Sequence, residues 1–138
     1  MKVSSILEQI ASTRGTNAKT DILKSHADND TLKTALKMGL DNFTPFNVVK
    51  VPKVKSRLEH PLTEDASWKE FFVVLDECAS RAVTGNAAID RVLTCFSSVC
   101  QEDEFWMRKI LKKKLSIGAS TKTVNKVFPG LIPTFEVA

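Results

Sequence analysis

Five basic side chains crowd into eight residues, Arg108-Lys109-Ile110-Leu111-Lys112-Lys113-Lys114-Leu115. The chain then passes Gly118-Ala119-Ser120 into Thr121-Lys122-Thr123-Val124-Asn125-Lys126-Val127-Phe128. The spacing predicts one helix closing on its own cations, a glycine turn, and a second helix opening. Lysines in a last turn complement the negative end of a helix dipole, and Gly118 can take the left-handed backbone such a turn needs. Ser120 is the expected N-cap of the new helix, its hydroxyl accepting a backbone N–H. Unpaired N–H groups and partial positive charge then stand beside Arg108, Lys112, Lys113, Lys114, Lys122 and Lys126. That chemistry suits phosphate oxygens. The plain alternative is a helical hairpin with a solvated lysine face.

A second candidate lies upstream at Thr84-Gly85-Asn86-Ala87-Ala88, again a turn running into a helix. Its small residues have two readings. They let two helices approach closely, or they let phosphates reach the N–H groups of a helix start, with Asn86 adding a side-chain amide. No Gly-rich phosphate loop, no nucleophile elbow and no paired-carboxylate constellation accompanies them.

Elements that would position these residues follow from apolar spacing. Val3, Ile6, Leu7, Ile10 and Ala11 predict a first helix, capped by Ser4 or Ser5 and broken at Gly15. A second opens at Thr16 or Asn17, with Ala18, Ile22 and Leu23 on its apolar side. Asp30 is the expected cap of a third, running through Leu32, Ala35, Leu36 and Met38 to about Leu40. Between Asn42 and Val54 the prolines Pro45 and Pro52 interrupt an apolar stretch that contains Phe43. A short helix over Pro45 to Lys50 is the reading adopted, with an extended chain as the alternative. Lys53 to Leu62 reads as a basic loop. Ser67-Trp68-Lys69-Glu70 fits a capping box ahead of a long helix ending near Val83, with Trp68 and Phe72 in the core. Ala87 to Val99 predicts another helix with Ile89, Val92, Leu93 and Phe96 inward. Gln101 to Glu104 is an acidic start suited to the next, whose apolar side is Phe105, Trp106, Ile110, Leu111 and Leu115. Pro129-Gly130 stops the last helix, and Leu131-Ile132-Pro133 leaves extended.

At 138 residues, with 43% hydrophobic and 26% charged side chains, the composition is that of one ordinary globular domain. No apolar run is long enough for a membrane span, and no secretory signal opens the chain. The net charge of +4 is unevenly spread. Residues 1–58 hold ten basic against five acidic side chains, residues 59–104 three against ten, and residues 105–138 seven against one. The cationic ends can meet to form one basic face with the acidic middle elsewhere, which points to a polyanionic partner. Cys78, Cys95 and Cys100 form no CxxC pair and read as buried free thiols in a reducing, intracellular location. His26 and His60 have no companion ligands for zinc. The expected fold is all-α, about seven helices built as helical hairpins.

These blocks also carry a resemblance. Gly118-Ala119-Ser120 with Asn125-Lys126-Val127-Phe128-Pro129-Gly130-Leu131-Ile132-Pro133 resembles the end of the N-terminal domain of ATP-dependent DNA ligases from T-even-type tailed phages. Thr84-Gly85-Asn86-Ala87-Ala88-Ile89 is similar to the same family, as are Ile6-Leu7-Glu8-Gln9-Ile10-Ala11 and Lys19-Thr20-Asp21-Ile22-Leu23. The resemblance implies a helical domain that binds duplex DNA around a nick through its sugar-phosphate backbone, without reading sequence. Nucleotidyltransferase and OB-fold domains are then expected downstream, where a Lys-x-Asp-Gly lysine carries AMP and where ATP and Mg would be used. Lys19-Thr20-Asp21-Ile22 lacks the glycine of that motif and is rejected as the nucleophile. The 138 residues are thus expected to bind nicked double-stranded DNA as a monomer, without a cofactor of their own and without sealing nicks. Host cytoplasm is the expected setting if a phage encodes the chain.

Residues carried over on the matching blocks are Thr84, Gly85, Asn86, Ala87, Gly118, Ala119, Ser120 and Lys122. Arg108, Lys112, Lys113, Lys114 and Lys126 join them on charge, with Arg14 and Gly15 ranked lower. Phe43 to Pro52 departs from the family pattern. The competing reading, from a different class, is a protein-interaction module whose acidic 59–104 region docks a replication factor such as a sliding clamp.

Overall fold

In the computed structural model, which describes residues 2–41, 44–48 and 50–132, seven helices follow one another with no strand among the described residues. They are α1 (Val3–Ser12), α2 (Thr16–Ser25), α3 (Asp30–Leu40), α4 (Glu64–Ala79), α5 (Gly85–Ser97), α6 (Gln101–Leu111) and α7 (Thr121–Val127). The all-α expectation is met, and none of these helices is long and apolar enough to cross a membrane. Phe43 and Pro133 lie outside the described residues, as does Val49.

The period of 3.6 explains most of the core. Val3, Ile6, Leu7 and Ile10 form one buried stripe on α1, and Leu32, Ala35 and Leu36 form another on α3. Each fully buried Leu or Ile contributes roughly 1.5–3 kcal/mol of transfer free energy. The centre is aromatic. Trp68, Phe71 and Phe72 on α4 stack at centroid distances of 5.9–6.2 Å, and Phe96 of α5 meets Phe71 at 6.1 Å. The Trp68 indole N–H donates to buried Asp103 at 3.3 Å, so the ring belongs to the core as its neighbours suggested.

Helix starts are where the pattern is corrected. Ser4 and Ser5 lie inside α1 and cap nothing; the Val3 N–H instead donates to the Glu64 carboxylate at the head of α4. On α2 the inward residues are Lys19 and Leu23, while Ala18 is exposed and Ile22 half-buried. Asn29, not Asp30, caps α3, accepting the Leu32 N–H at 3.0 Å. Thr63, not Ser67, caps α4, accepting the Ala66 N–H at 3.3 Å. Ser67 sits a turn inside, fully buried, and its hydroxyl donates to Leu62 O. At the other end α4 stops at Ala79, before Val83, because Arg81 takes a left-handed φ of 63°. On α5 the buried stripe is Ala88, Val92, Cys95 and Phe96, with Ile89 and Leu93 only half-buried. Phe105, expected inward on α6, is 54% exposed.

The connection from α3 to α4 contains no helix among its described residues, so the short helix over Pro45–Lys50 is not present. Asn47 stands at φ 63°, which breaks a right-handed turn, and its amide donates to Cys78 O at 3.2 Å. Side chains take over the task of holding this chain. Arg57 donates to the carbonyls of Phe96 (2.9 Å) and Val99 (2.7 Å) at the end of α5. Phe96 O is among the last carbonyls of the helix, which lack a partner four residues on, and Val99 follows just beyond its C-cap.

Candidate nucleic-acid interface

The basic run divides into two kinds of cation. Its helix ends early: α6 stops at Leu111, with Lys112 as its C-cap. The Lys113 N–H bonds Ile110 O at 3.0 Å and the Lys114 N–H bonds Lys109 O at 2.9 Å, the paired closure of a Schellman motif. The left-handed residue in that closure is Lys113, at φ 57°, where glycine is usual. Gly118, at φ 75°, serves a separate bend four residues after Lys114. A non-glycine residue loses about 1–2 kcal/mol in this conformation. Lys113 recovers it with its side chain, whose ammonium donates to Met38 O at 2.6 Å and lies 4.0 Å over the Phe46 ring. Burial pushes this ammonium below its ordinary pKa, against an opposing pull from Asp41.

Arg108 is equally engaged. Its guanidinium donates to Glu104 at 2.6 Å, to Val51 O at 3.0 Å and to Pro52 O at 2.8 Å, and stacks 4.8 Å over Phe96. Lys112, Lys114, Lys122 and Lys126 are the other kind. All four are exposed, and among the described residues no hydrogen bond or ion pair holds their ammonium groups. Sequence counts charges but not partners, so it gave Arg108 and Lys113 the same standing as these four.

The glycine turn is built as expected at its cap and for an additional reason at its glycine. Ser120 accepts the Thr123 N–H at 3.2 Å, Ala119 is buried, and Val124 and Phe128 face the core. Lys19, rejected as a nucleophile, is buried here; its ammonium donates to Ile10 O and, at 2.8 Å, to Ile117 O. A Cβ on Gly118 would come within 2.9 Å of that nitrogen. The lysine thus ties α1 to the turn ahead of α7, one helical turn after exposed Arg14 and Gly15. At the far end, the Asn125 amide donates to Ile132 O at 3.0 Å and accepts the Ile132 N–H at 2.9 Å.

The second block, Thr84, Gly85, Asn86 and Ala87, is exposed throughout. Gly85 stands at φ 55°, and the Thr84 side chain does not cap the first N–H groups of α5. The start of α5 and the end of α6 are neighbours in space. Asn86 and Ile89 share a shallow depression of about 550 Å³ with Lys112 and with Lys50, Val51 and Pro52 of the α3–α4 connection. Lys50 was missed by sequence reasoning because it was placed inside a helix that does not form.

Three of the ten carboxylates between residues 59 and 104 form ion pairs among the described residues. Glu104 meets Arg57 and Arg108 at 2.6 Å each, and Arg91 bonds Glu70 at 2.7 Å and Glu77 at 3.0 Å. No His, Cys, Asp or Glu cluster of metal-binding geometry occurs among the described residues. Cys78, Cys95 and Cys100 are free thiols, and burial pushes Cys95 up to about 12, so it stays protonated and unreactive.

The chain is similar to known proteins in sequence and in fold. The chain is 32% identical over 132 residues to the DNA ligase of Enterobacteria phage T4, covering 93% of this chain and 26% of the relative. The DNA ligase of Enterobacteria phage T6 gives the same figures. The chain therefore spans about a quarter of the length of the curated relatives it matches. Among solved structures, that named Pmar-Lig_PreS3 superposes with a TM-score of 0.83 at 28% identity, over 96% of this chain and 32% of its own. Pmar-Lig_Pre superposes at 0.80 with 27% identity, over 92% and 29%. No family model matches the sequence.

Proposed function

We propose, from a chain that is a relative of phage DNA ligases over the length of one domain, that these helices grip duplex DNA around a nick by its backbone phosphates. The observation that carries the reading is the sorting of the cations. Arg108, Lys113 and Lys19 hold the fold together, while Lys112, Lys114, Lys122 and Lys126 stand exposed with no ion pair among the described residues. Lys112 shares its depression with the uncapped start of α5. Point charges and backbone N–H groups read phosphate position rather than base identity. Such a surface accepts any sequence, as sealing arbitrary nicks demands.

In this reading the domain is one arm of a larger enzyme's hold on DNA. The adenylyl transfer, with its ATP and Mg²⁺, belongs to other parts of that enzyme. No lysine of these 138 residues stands in a Lys-x-Asp-Gly motif.

The test is a fluorescence-anisotropy titration with nicked and intact duplexes of several sequences at several salt concentrations. We expect sequence-indifferent binding whose log Kd against log salt gives about 0.9 per phosphate engaged. Lys112→Glu with Lys122→Glu should weaken every duplex alike at an unchanged melting temperature. Undiminished affinity in that variant would remove this surface from the interface.

A further inference from the structure

We infer that the connection between α3 and α4 forms a second strip of the same DNA surface, through Lys50, Lys53 and Lys55, and that Glu104 is the residue that positions it. The inference rests on the DNA-binding reading above and extends it to a segment that neither the relatives' names nor the charge run at residues 108–114 assigns.

The 23 residues between Leu40 and Glu64 carry no helix among those described, a length at which a connection is usually either functional or disordered. Here it is anchored along its second half. Arg108 donates to the carbonyls of Val51 and Pro52, and Arg57 reaches back to those of Phe96 and Val99. The N–H groups of Leu58 and Leu62 donate to Ser97 O and Ser98 O, each at 2.9 Å. One carboxylate joins the two guanidiniums: Glu104 accepts from Arg57 at 2.6 Å with one oxygen and from Arg108 at 2.6 Å with the other. Each arginine is thereby oriented toward the backbone it holds.

The anchoring leaves the lysines outside. Val51, Val54 and Arg57 are turned partly inward at every third residue, while Lys50, Lys53 and Lys55 are exposed and carry no ion pair or hydrogen bond among the described residues. From residue 42 to residue 58 the sequence has no acidic side chain at all. A solvated loop has no need of three half-buried anchors, and a loop that merely packs has no need to leave its lysines on the outside. Lys50 meets Asn86 and Lys112 around one depression, so the strip continues the surface already described. A polyanion lying across α5's start and Lys112 would meet Lys50 next, then Lys53 and Lys55.

Glu104 acts only through the arginines. Removing its charge leaves both guanidiniums held by backbone carbonyls alone, which loosens the strip against the Asn86–Lys112 surface. That role makes a prediction distinct from simple loss of stability. The effect of Glu104→Gln on DNA binding depends on the lysines being present.

The experiment uses a fluorescein-labelled nicked duplex and four proteins of the full 138-residue chain. They are the wild type, Lys50→Ala with Lys53→Ala and Lys55→Ala, Glu104→Gln, and all four substitutions together. The triple variant should keep its melting temperature and lose about two to three from the magnitude of the log–log salt slope, at about 0.9 per lost phosphate contact. Glu104→Gln alone should lower the slope by a smaller amount. Added to the triple variant, it should change binding no further. An unchanged slope in the triple variant, with wild-type binding intact, overturns this inference and leaves the DNA reading standing. Equal weakening by Glu104→Gln in both backgrounds overturns the positioning role. No wild-type binding to any duplex at low salt overturns the DNA reading and this extension together.

Discussion

Gly118→Val is a substitution whose cost can be worked from the coordinates. At φ 75° a β-branched residue suffers strain of roughly 1–3 kcal/mol. The new Cβ would also stand 2.9 Å from the Lys19 ammonium and 3.0 Å from its Cε. Lys19 is the far end of a flexible side chain, so it can retreat, but only by giving up Ile10 O or Ile117 O. A hydrogen bond from a charged donor is worth about 1.5–3 kcal/mol, and a buried ammonium left short of partners raises the loss. Together these give a destabilisation of about 3–5 kcal/mol. For a domain of this length, that corresponds to a melting temperature lower by about 10–20 °C. Thermal unfolding by far-ultraviolet circular dichroism reads it directly. The decisive comparison is a cycle with Lys19→Met, which removes the ammonium that valine would displace. Valine at 118 should then cost about 1–3 kcal/mol, the strain alone. A melting temperature of Gly118→Val within about 2 °C of wild type, or strict additivity in the cycle, would refute the reasoning.

Two further outcomes follow from the charged groups. Burial pushes the Glu104 carboxyl up, but hydrogen bonds from Arg108 and Arg57 outweigh it and hold the carboxyl below its ordinary value of 4.5. Between the lowered folded value and the unfolded one, the unfolded chain binds more protons. Stability from Glu104 is therefore complete above about pH 4.5 and drains away as pH falls through the folded value. Melting curves from pH 6 down to pH 2 should show wild type losing its margin over Glu104→Gln in that acid window, and parallel curves would contradict the pairing. Lys113→Met should lower the melting temperature measurably, since it leaves Met38 O without its donor, while the salt slope of DNA binding stays that of wild type. A lower slope at an unchanged melting temperature would mean the ammonium reaches DNA rather than Met38.

Much of the fold could be read in advance because periodicity survives in the sequence wherever a helix buries aliphatic side chains. α1, α3 and α6 show this, and so does the Ser120 cap, whose signal is entirely local. What escaped was non-local. Ser67-Trp68-Lys69-Glu70 is the better capping-box match, yet Thr63 starts the helix because Glu64 must sit where it can receive the Val3 N–H, 61 residues away. Lys19 escaped because lysine is ordinarily exposed, and nothing beside it announces that two carbonyls from residues 10 and 117 will converge there. The same blindness affected the candidate surface. Arg108 and Lys112 look alike in a run of cations, but the partners that separate them are the carbonyls of residues 51 and 52, in a stretch whose prolines concealed its conformation.

The doubled bond between Asn125 and Ile132 has a mechanical consequence. Both hydrogen bonds run between the same pair of residues, so a pull on the chain at residue 132 loads them side by side instead of peeling them in turn. The force passes into α7 along Asn125 and from there to Val124 and Phe128, which are seated in the core. α7 and the backbone at residue 132 are thereby held as one piece. The path of the backbone at residue 132 and the placing of Lys122 and Lys126 on α7 are thus set together.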